Sequence, residues 1–517
     1  MIALAAALAA MGCAATARAE TLADAVTTAY ETNPNIQAQR AAMRALDENY
    51  VQARAAFGLS ASVSLSENDY EVEQRRRSTT AGAGATTQST QLSVSQPLYT
   101  SGRYTARLGG IEAQIRGARE NLRRIEMDLL VRATNVYVLV RRDQEILRIS
   151  QGGATWLEKQ LKDTEDKYSV RQVTLTDVQQ ARARLASART QVANAEAQLS
   201  LSRAQYASII GRMPENLEPE PDIEGLPTGL DEAFDVAEDF NPSLHSAMYT
   251  EKASRLQVAE ARAQRLFSVT ARVDYRNGPE VAYSAKGRQS TTDTSIVLSQ
   301  PLFSSGQLNS QVRQALEENN RDQHLLDDAR RSMVLNVSQA WDQLSVARRS
   351  LTSLEDEMKA DTIAFYGVRE EERFALRSTI EVLNAQAELQ AAQVNFIRGR
   401  YNEYVSRLQL LAQIGTLEVG DIAPGVKTYN PEKNFKKVRF KGALPTEALT
   451  HVFDKIALPM SPKAKAGDTT PIRPASTEMP AAPIEAAKVQ PPASINQMPA
   501  LSDADLKDAP VKTAPKE

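Results

Sequence analysis

Cysteine, histidine and aromatic residues are scarce in this chain of 517 residues. The single cysteine, Cys13, falls within the first twenty residues, so a chain trimmed behind it is thiol-free and indifferent to an oxidising compartment. The three histidines, His245, His324 and His451, are scattered without metal-ligand spacing and read as helix-surface or tail residues. Aromatics make up only 5%, and the sequence contains no phosphate-cradling glycine loop, HExxH, CxxC or nucleophile elbow. An enzyme, a bound cofactor and a metal centre are thereby left without their usual parts. A net charge of −3 gives no basic surface for nucleic acid. Beyond the N-terminal leader no stretch approaches the ~18 apolar residues of a membrane helix, so any crossing of a bilayer is not made by helices.

The first nineteen residues form an apolar run ending in Ala17-Arg18-Ala19, a small-x-small cleavage pattern, and read as a secretory signal peptide. Gly12 ahead of Cys13 leaves lipidation of that cysteine as the alternative.

What the chain does contain is a repeat. SQPLYTSG runs from Ser95 to Gly102, and SQPLFSSG returns from Ser299 to Gly306, 204 residues later. Upstream, TLADA at Thr21 and the pair Asn33-Pro34 align with GLDEA at Gly229 and Asn241-Pro242 at an offset of 208. From SQPL onward the offset holds at 204, pairing Asp177 with Glu381, Leu185 with Leu389 and Gly211 with Gly415. The difference falls in the loop ahead of SQPL, where insertions cost least. The chain is a duplication, with a hinge near Pro214 to Pro227.

Each copy reads helix, helix, strand, loop, strand, long helix, turn, helix. LSASVSLS from Leu59 to Ser66 alternates apolar and serine, and Phe267, Val269, Ala271, Val273 and Tyr275 alternate in the same way in the second copy. The return strands, near Leu92 and Ser295, end at Pro97 and Pro301. Each strand can reach the ~9–11 residues that span a bilayer, and a serine/threonine face suits a watery lumen better than a soluble sheet. Four strands cannot close a barrel, and lipid does not tolerate an open edge, so spanning strands must share one barrel with other chains.

Proline is absent and glycine sparse from Arg103 to about Tyr168 and from Gln307 to about Glu372, which predicts two helices of about 100 Å. Gly152-Gly153 reads as a kink, Ser101 and Ser305 as N-caps, and Trp156 and Trp341 as packing residues. The following helix carries Val178, Ala181, Leu185, Ala188, Val192, Ala195 and Leu199 in alternating steps of three and four, a coiled-coil seam. Helices over Pro34 to Phe57 and Leu175 to Gly211 together nearly equal the long helix, so stacked end to end they would run beside it as a two-ply wall. From about Lys427 the chain turns proline-, alanine- and lysine-rich, with thirteen of the 23 prolines between Pro431 and Glu517. This reads as a disordered tail.

The paired SQPL(Y/F)xSG phrases, TDVQQARA from Thr176 and TIEVLNA from Thr379 together resemble the TolC family of outer-membrane channels, over roughly Glu20 to Pro424. The resemblance implies an α+β membrane protein: a duplicated protomer of long coiled-coil-like helices plus four transmembrane strands. Three protomers would build a twelve-strand β-barrel continued by an α-helical periplasmic tunnel. It divides the chain into a signal peptide (1–19), a first repeat (20–213, strands about 58–72 and 89–99), a linker (214–228), a second repeat (229–424, strands about 266–276 and 292–303) and the tail (425–517). Pro97 and Pro301 become the strand-to-helix swivels.

The function implied is the outer-membrane exit duct of a tripartite export system, without catalysis or cofactor, for type I protein secretion with small-molecule efflux as the alternative. Its partners are two further copies, a periplasmic membrane-fusion adaptor, an inner-membrane ABC or other transporter and outer-membrane lipid; nucleic acid is not among them. Asp177 and Arg377 match the family's gate latch, and Glu381 and Asn384 match its periplasmic constriction. Asn384 departs from the usual carboxylate there, which halves the ring charge, and Glu372 replaces a tyrosine of the latch. The rival from another class is a periplasmic coiled-coil scaffold or adaptor whose strands form a soluble domain.

Overall fold

A computed structural model describes residues 19–76, 79–281, 287–374, 376–456 and 473. Cys13, nearly all of the expected leader and most of the tail beyond 456 lie outside them. Two copies of one unit follow each other. In the first, helices α1 (Leu22–Thr32) and α2 (Pro34–Ala55) lead into strands β1 (Ser60–Arg76) and β2 (Thr79–Tyr99), the long α3 (Arg103–Ser169) and α4 (Leu175–Ile210). In the second, α5 (Leu230–Phe240) and α6 (Pro242–Ala263) lead into β3 (Ser268–Pro279), β4 (Arg288–Ser299), α7 (Gln307–Arg373) and α8 (Thr379–Ile414). At 67 residues each, α3 and α7 are about 100 Å long. Among the described residues no helix is long and apolar enough to cross a membrane.

The two-ply wall is spliced by asparagine. Asn33 accepts a hydrogen bond from the Asn35 amide and so caps α2, while its own side-chain amide donates to the Ile209 carbonyl at the end of α4, 3.2 Å away. Asn241 does the same in the second copy, capping α6 through the Ser243 and Leu244 amides and donating to the Gln413 carbonyl of α8 at 2.7 Å. Orphan donors of one helix and an orphan acceptor of another are thus satisfied by one side chain. The proline that follows needs no amide partner at the first helical position. Gly211 and Gly415, both at positive φ, end the helices there; a Cβ on Gly415 would stand 2.4 Å from the Phe240 carbonyl oxygen.

Around this splice lies the main core, in which Trp341, Tyr137, Tyr206 and Phe234 are wholly buried among residues of α1, α3, α4, α5, α7 and α8. The α4 seam is buried as its spacing predicts, with Val192 only half-buried. Gly152 and Gly153 do not interrupt α3; the second lets Gln390 of α8 approach, its Oε1 standing 2.5 Å from where a Cβ would be.

The four strands form one antiparallel sheet in chain order, β1 and β4 on its edges. Val63 and Leu65 of β1 and Ile296 and Leu298 of β4 are exposed, apolar side chains at both edges of the sheet that the described residues leave uncovered. The strands differ from their expected bounds. β1 and β2 pair from Ser60 with Ser95 out to Arg76 with Thr79, taking in a polar, glycine-rich stretch expected to be loop. Ladder bonds join backbones, so a ribbon can lengthen without apolar alternation. β4 stops at Ser299 rather than near 303, whereas β2 continues through Pro97 to Tyr99 over a register shift. β2 has β3 beside it there, while β4 is an edge with Pro301 next in line and no further strand beside it among the described residues.

Two further expectations are corrected. Ser101 and Ser305 sit at positive φ one residue ahead of the caps, which are Gly102 and Gly306 and carry no side-chain bond. The start of the tail is helical and packed: after the short α9 (Val419–Ile422) come α10 (Pro431–Val438) and α11 (Pro445–Ile456). Each of the last two has proline at its start, and Phe435 of α10 lies edge-on to Tyr50 of α2 at 5.0 Å between ring centres. In α11, Glu447 pairs with Arg54, and the fully buried Asp454 accepts bonds from the Thr100 and Gly102 amides at 2.7 and 3.0 Å. A carboxylate on the first amides of α3 is what the helix dipole favours, so α11 straps the turn that joins β2 to α3.

Candidate functional site at the hairpin tips

α3 and α4 form one hairpin, α7 and α8 the other, and their tips lie together at the end remote from the sheet. Both turns are closed by capping boxes, which follow from threonine or serine three residues ahead of an acid. At the first, the Asp177 carboxylate accepts from the Thr174 amide at 2.9 Å and its hydroxyl at 2.7 Å. At the second, Glu381 accepts from the Ser378 amide and hydroxyl, both at 2.9 Å. These bonds, with Arg377 beside them, hold the Glu381 carboxyl below its ordinary range. Arg377 spans Glu371 at 2.8 Å and Glu381 at 3.0 Å, and these acceptors raise its own pKa.

Asp177 and Arg377 are therefore each engaged inside their own turn, and no bond joins them within the described chain. Glu381 and Asn384 stand one turn apart on α8, and Asn384 accepts from Arg184 of α4 at 2.8 Å. An asparagine oxygen opposite an arginine leaves the cation uncompensated, which a carboxylate at 384 would neutralise. Pro97 and Pro301 lie at the other end of the molecule, at the sheet.

The links between the hairpins were not legible as such. Lys167 near the end of α3 reaches Glu372 near the end of α7 at 2.6 Å, with the glutamate side chain only 12% exposed. Glu372 thus carries a cross-hairpin bond in place of the tyrosine expected in the latch. The signal was available: the two residues occupy almost equivalent places in the two copies and bear opposite charge. Deeper in, Trp156 of α3 meets Phe365 of α7 edge-on at 5.6 Å. Leu383 of α8 is buried with Leu157, Ala181 and Leu185 of the first hairpin. Among the described residues no group of three or more histidine, cysteine, aspartate or glutamate side chains is placed to hold a metal.

An open four-stranded sheet with exposed apolar side chains on its edge strands, continued by a duplicated pair of 100 Å helical hairpins, defines a channel protomer that completes its barrel with other copies. The comparisons with known proteins agree. The chain belongs to the outer membrane efflux protein family, matching it over residues 25–212 and 234–416, one segment per repeat. It is similar to the outer membrane efflux protein BepC of Brucella suis, 26% identical over 427 residues, covering 82% of this chain and 92% of that one. Outer membrane protein TolC of Escherichia coli is 22% identical over 80% of this chain and 85% of its own. The alkaline protease secretion protein AprF of Pseudomonas aeruginosa is 23% identical over 64% of this chain and 70% of its own. In fold, the CmeC outer membrane channel of Campylobacter jejuni superposes with a TM-score of 0.68 at 14% identity, over 81% of this chain and 89% of that one. The protein is a TolC-family member of the outer membrane, which sets aside the soluble scaffold.

Proposed function

We propose that the protein is the exit duct of a tripartite export system, passing cargo from the periplasmic side to the exterior and gated at the hairpin tips. The observation that carries this reading is the set of polar bonds across the two tips, Lys167 to Glu372 and Arg184 to Asn384, at the end of an otherwise apolar-seamed helical wall remote from the sheet. Polar links between moving parts are cheap to break and remake, whereas the buried seam is not. The duct itself carries out no reaction. Its partners are two further copies, a periplasmic adaptor and an inner-membrane transporter of the ABC or another class.

Asp177 and Arg377 are proposed as the latch between neighbouring copies rather than within one. Glu381 and Asn384 line the constriction, with Pro97 and Pro301 as swivels. For the cargo, likeness to AprF favours protein secretion and the longer likeness to BepC favours small-molecule efflux. The test is a strain deleted for this gene and complemented with parent or Asp177→Ala, scored for secreted protein and for accumulation of a fluorescent efflux substrate. Unchanged secretion and unchanged accumulation on deletion would refute the duct.

A further inference from the structure

Inside the chain, the two repeats meet where α3 packs on α6, and this contact sets small against large. Gly109 of α3 faces Leu256 so closely that a Cβ would stand 3.2 Å from its Cδ1, and at Gly117 it would stand 3.3 Å from the Tyr249 Cβ. A Cβ on Gly110 would stand 3.7 Å from the Ala253 carbonyl oxygen. At the corner beside it, the Tyr99 ring packs tilted against Phe267, 5.3 Å between centres. The glycines are what let a bulky helix approach here.

The duplication supplies a second contact of the same kind, between the second repeat of one copy and the first repeat of the next. The offset of 204 carries Gly109, Gly110 and Gly117 of α3 onto Arg313, Gln314 and Arg321 of α7. The offset of 208 carries Ser246, Tyr249, Ala253 and Leu256 of α6 onto Ala38, Ala41, Ala45 and Glu48 of α2. All seven of these residues of α7 and α2 are exposed in the single chain. Sizes are inverted: long side chains now stand on α7, where α3 has glycine, and alanines on α2, where α6 has tyrosine and serine. Leu256 opposite Gly109 becomes Glu48 opposite Arg313, a pair of opposite charge, and neither residue has an ion-pair partner among the described residues.

The same transfer continues through the corner and the sheet. Phe303, 88% exposed, takes the place of Tyr99, and Leu59, also exposed, that of Phe267. Val94 opposite Val273 becomes Leu298 opposite Leu65, two exposed leucines on the edge strands β4 and β1.

We infer that copies join through α7 of one and α2 of the next in a size-inverted counterpart of the internal α3–α6 contact, pinned by Arg313 on Glu48 and by Phe303 on Leu59 of the neighbouring protomer. The inversion makes the two contacts non-exchangeable. Arginines of α7 against Leu256 and Tyr249 would overfill the seam, and glycines of α3 against the alanines of α2 would leave a gap. A ring must therefore alternate first and second repeats, which is the only order that closes the barrel without a misfitted seam. This rests on the trimeric architecture of the family and goes further, to the residues that select it.

The test uses the full chain with Cys13→Ser, so that introduced thiols are the only ones. In detergent, Glu48→Cys with Arg313→Cys should link three chains covalently on copper-phenanthroline oxidation, while Glu48→Cys with Glu318→Cys, on another face of α7, should not. Arg313→Glu or Glu48→Arg alone should each lose most of the heat-resistant trimer, and the double exchange should restore it. A protein that stays trimeric by light scattering yet gives no 48–313 link, or a double exchange no better than the single ones, would overturn the pairing while leaving the trimer intact. Loss of the trimer from the Cys13→Ser parent would overturn the architecture it rests on.

Discussion

Glu372→Gln is the substitution expected to move the tips most for the least structural damage. The side chain keeps its size, and its packing beside the last turn of α7 is preserved, so what is removed is the charge that holds Lys167 at 2.6 Å. The Lys167 ammonium can still donate to the amide oxygen of a glutamine, so what goes is the ion-pair attraction, about 0.2–1 kcal/mol for an exposed pair. Lys167 is 37% exposed but Glu372 only 12%, which puts the loss at the upper end of that range, at ~1 kcal/mol per copy. If three tips part together, the closed state loses ~3 kcal/mol, a shift of about a hundredfold in the ratio of closed to open. Single-channel recording reads that ratio directly as open probability. The reversed pair, Lys167→Glu with Glu372→Lys, should return the open probability towards the parent's. An open probability within twofold of the parent in Glu372→Gln, with trimer intact, would refute the assignment of this bond to the gate.

Glu381→Gln should lower cation selectivity, read as a smaller reversal potential in a salt gradient, and no change would remove Glu381 from the constriction. Because its folded pKa is depressed, the stabilisation that Glu381 gives the first turn of α8 is present above the unfolded value. That stabilisation is lost as pH falls through the depressed one. Amide exchange at residues 379–382 should therefore accelerate, relative to the rest of α8, only below the ordinary carboxylate range. Asn241→Ala removes both the cap of α6 and its bond to Gln413, and should cost about 1–2 kcal/mol in thermal stability. Ser at the same position, able to cap but too short to reach Gln413, should recover only part of it. Asp454→Asn should free the start of α3 and cost a comparable ~1–2 kcal/mol. It should also speed proteolysis between Lys427 and Ile456 while leaving the trimer assembled; loss of the trimer would mean that α11 does more than strap the turn between β2 and α3.

The repeat made most of the fold readable. Two phrases at Pro97 and Pro301, strict alternation from Leu59 to Ser66 and proline-free runs after Arg103 and Gln307 are local signals, and each marks an element that forms. The splice was half visible: Asn-Pro twice announces a helix start, but not that the asparagine amide also reaches a second helix 176 residues away. The strap was misread because proline and lysine counts report average composition, while Pro431 and Pro445 act locally as first residues of helices. Asp454 acquires its role only from three-dimensional proximity to Thr100 and Gly102, which no spacing encodes. At the tips, Asp177 and Glu381 show their capping boxes in the sequence itself, since the threonine or serine lies three residues ahead. The latch proposed between Asp177 and Arg377 of neighbouring copies belongs to an assembly that one chain does not contain, and Lys167 with Glu372 becomes visible only once the two repeats are laid side by side.

The central claim is that this protein conducts through a barrel shared by copies and closed at the helical tips. It is tested most directly by single-channel current from the purified mature protein in a planar bilayer, with Glu372→Gln recorded in the same session. Discrete, cation-selective steps, rarer in the parent than in the variant, are the predicted result. Silence from both proteins, each verified as a folded trimer inserted in the bilayer, would contradict it.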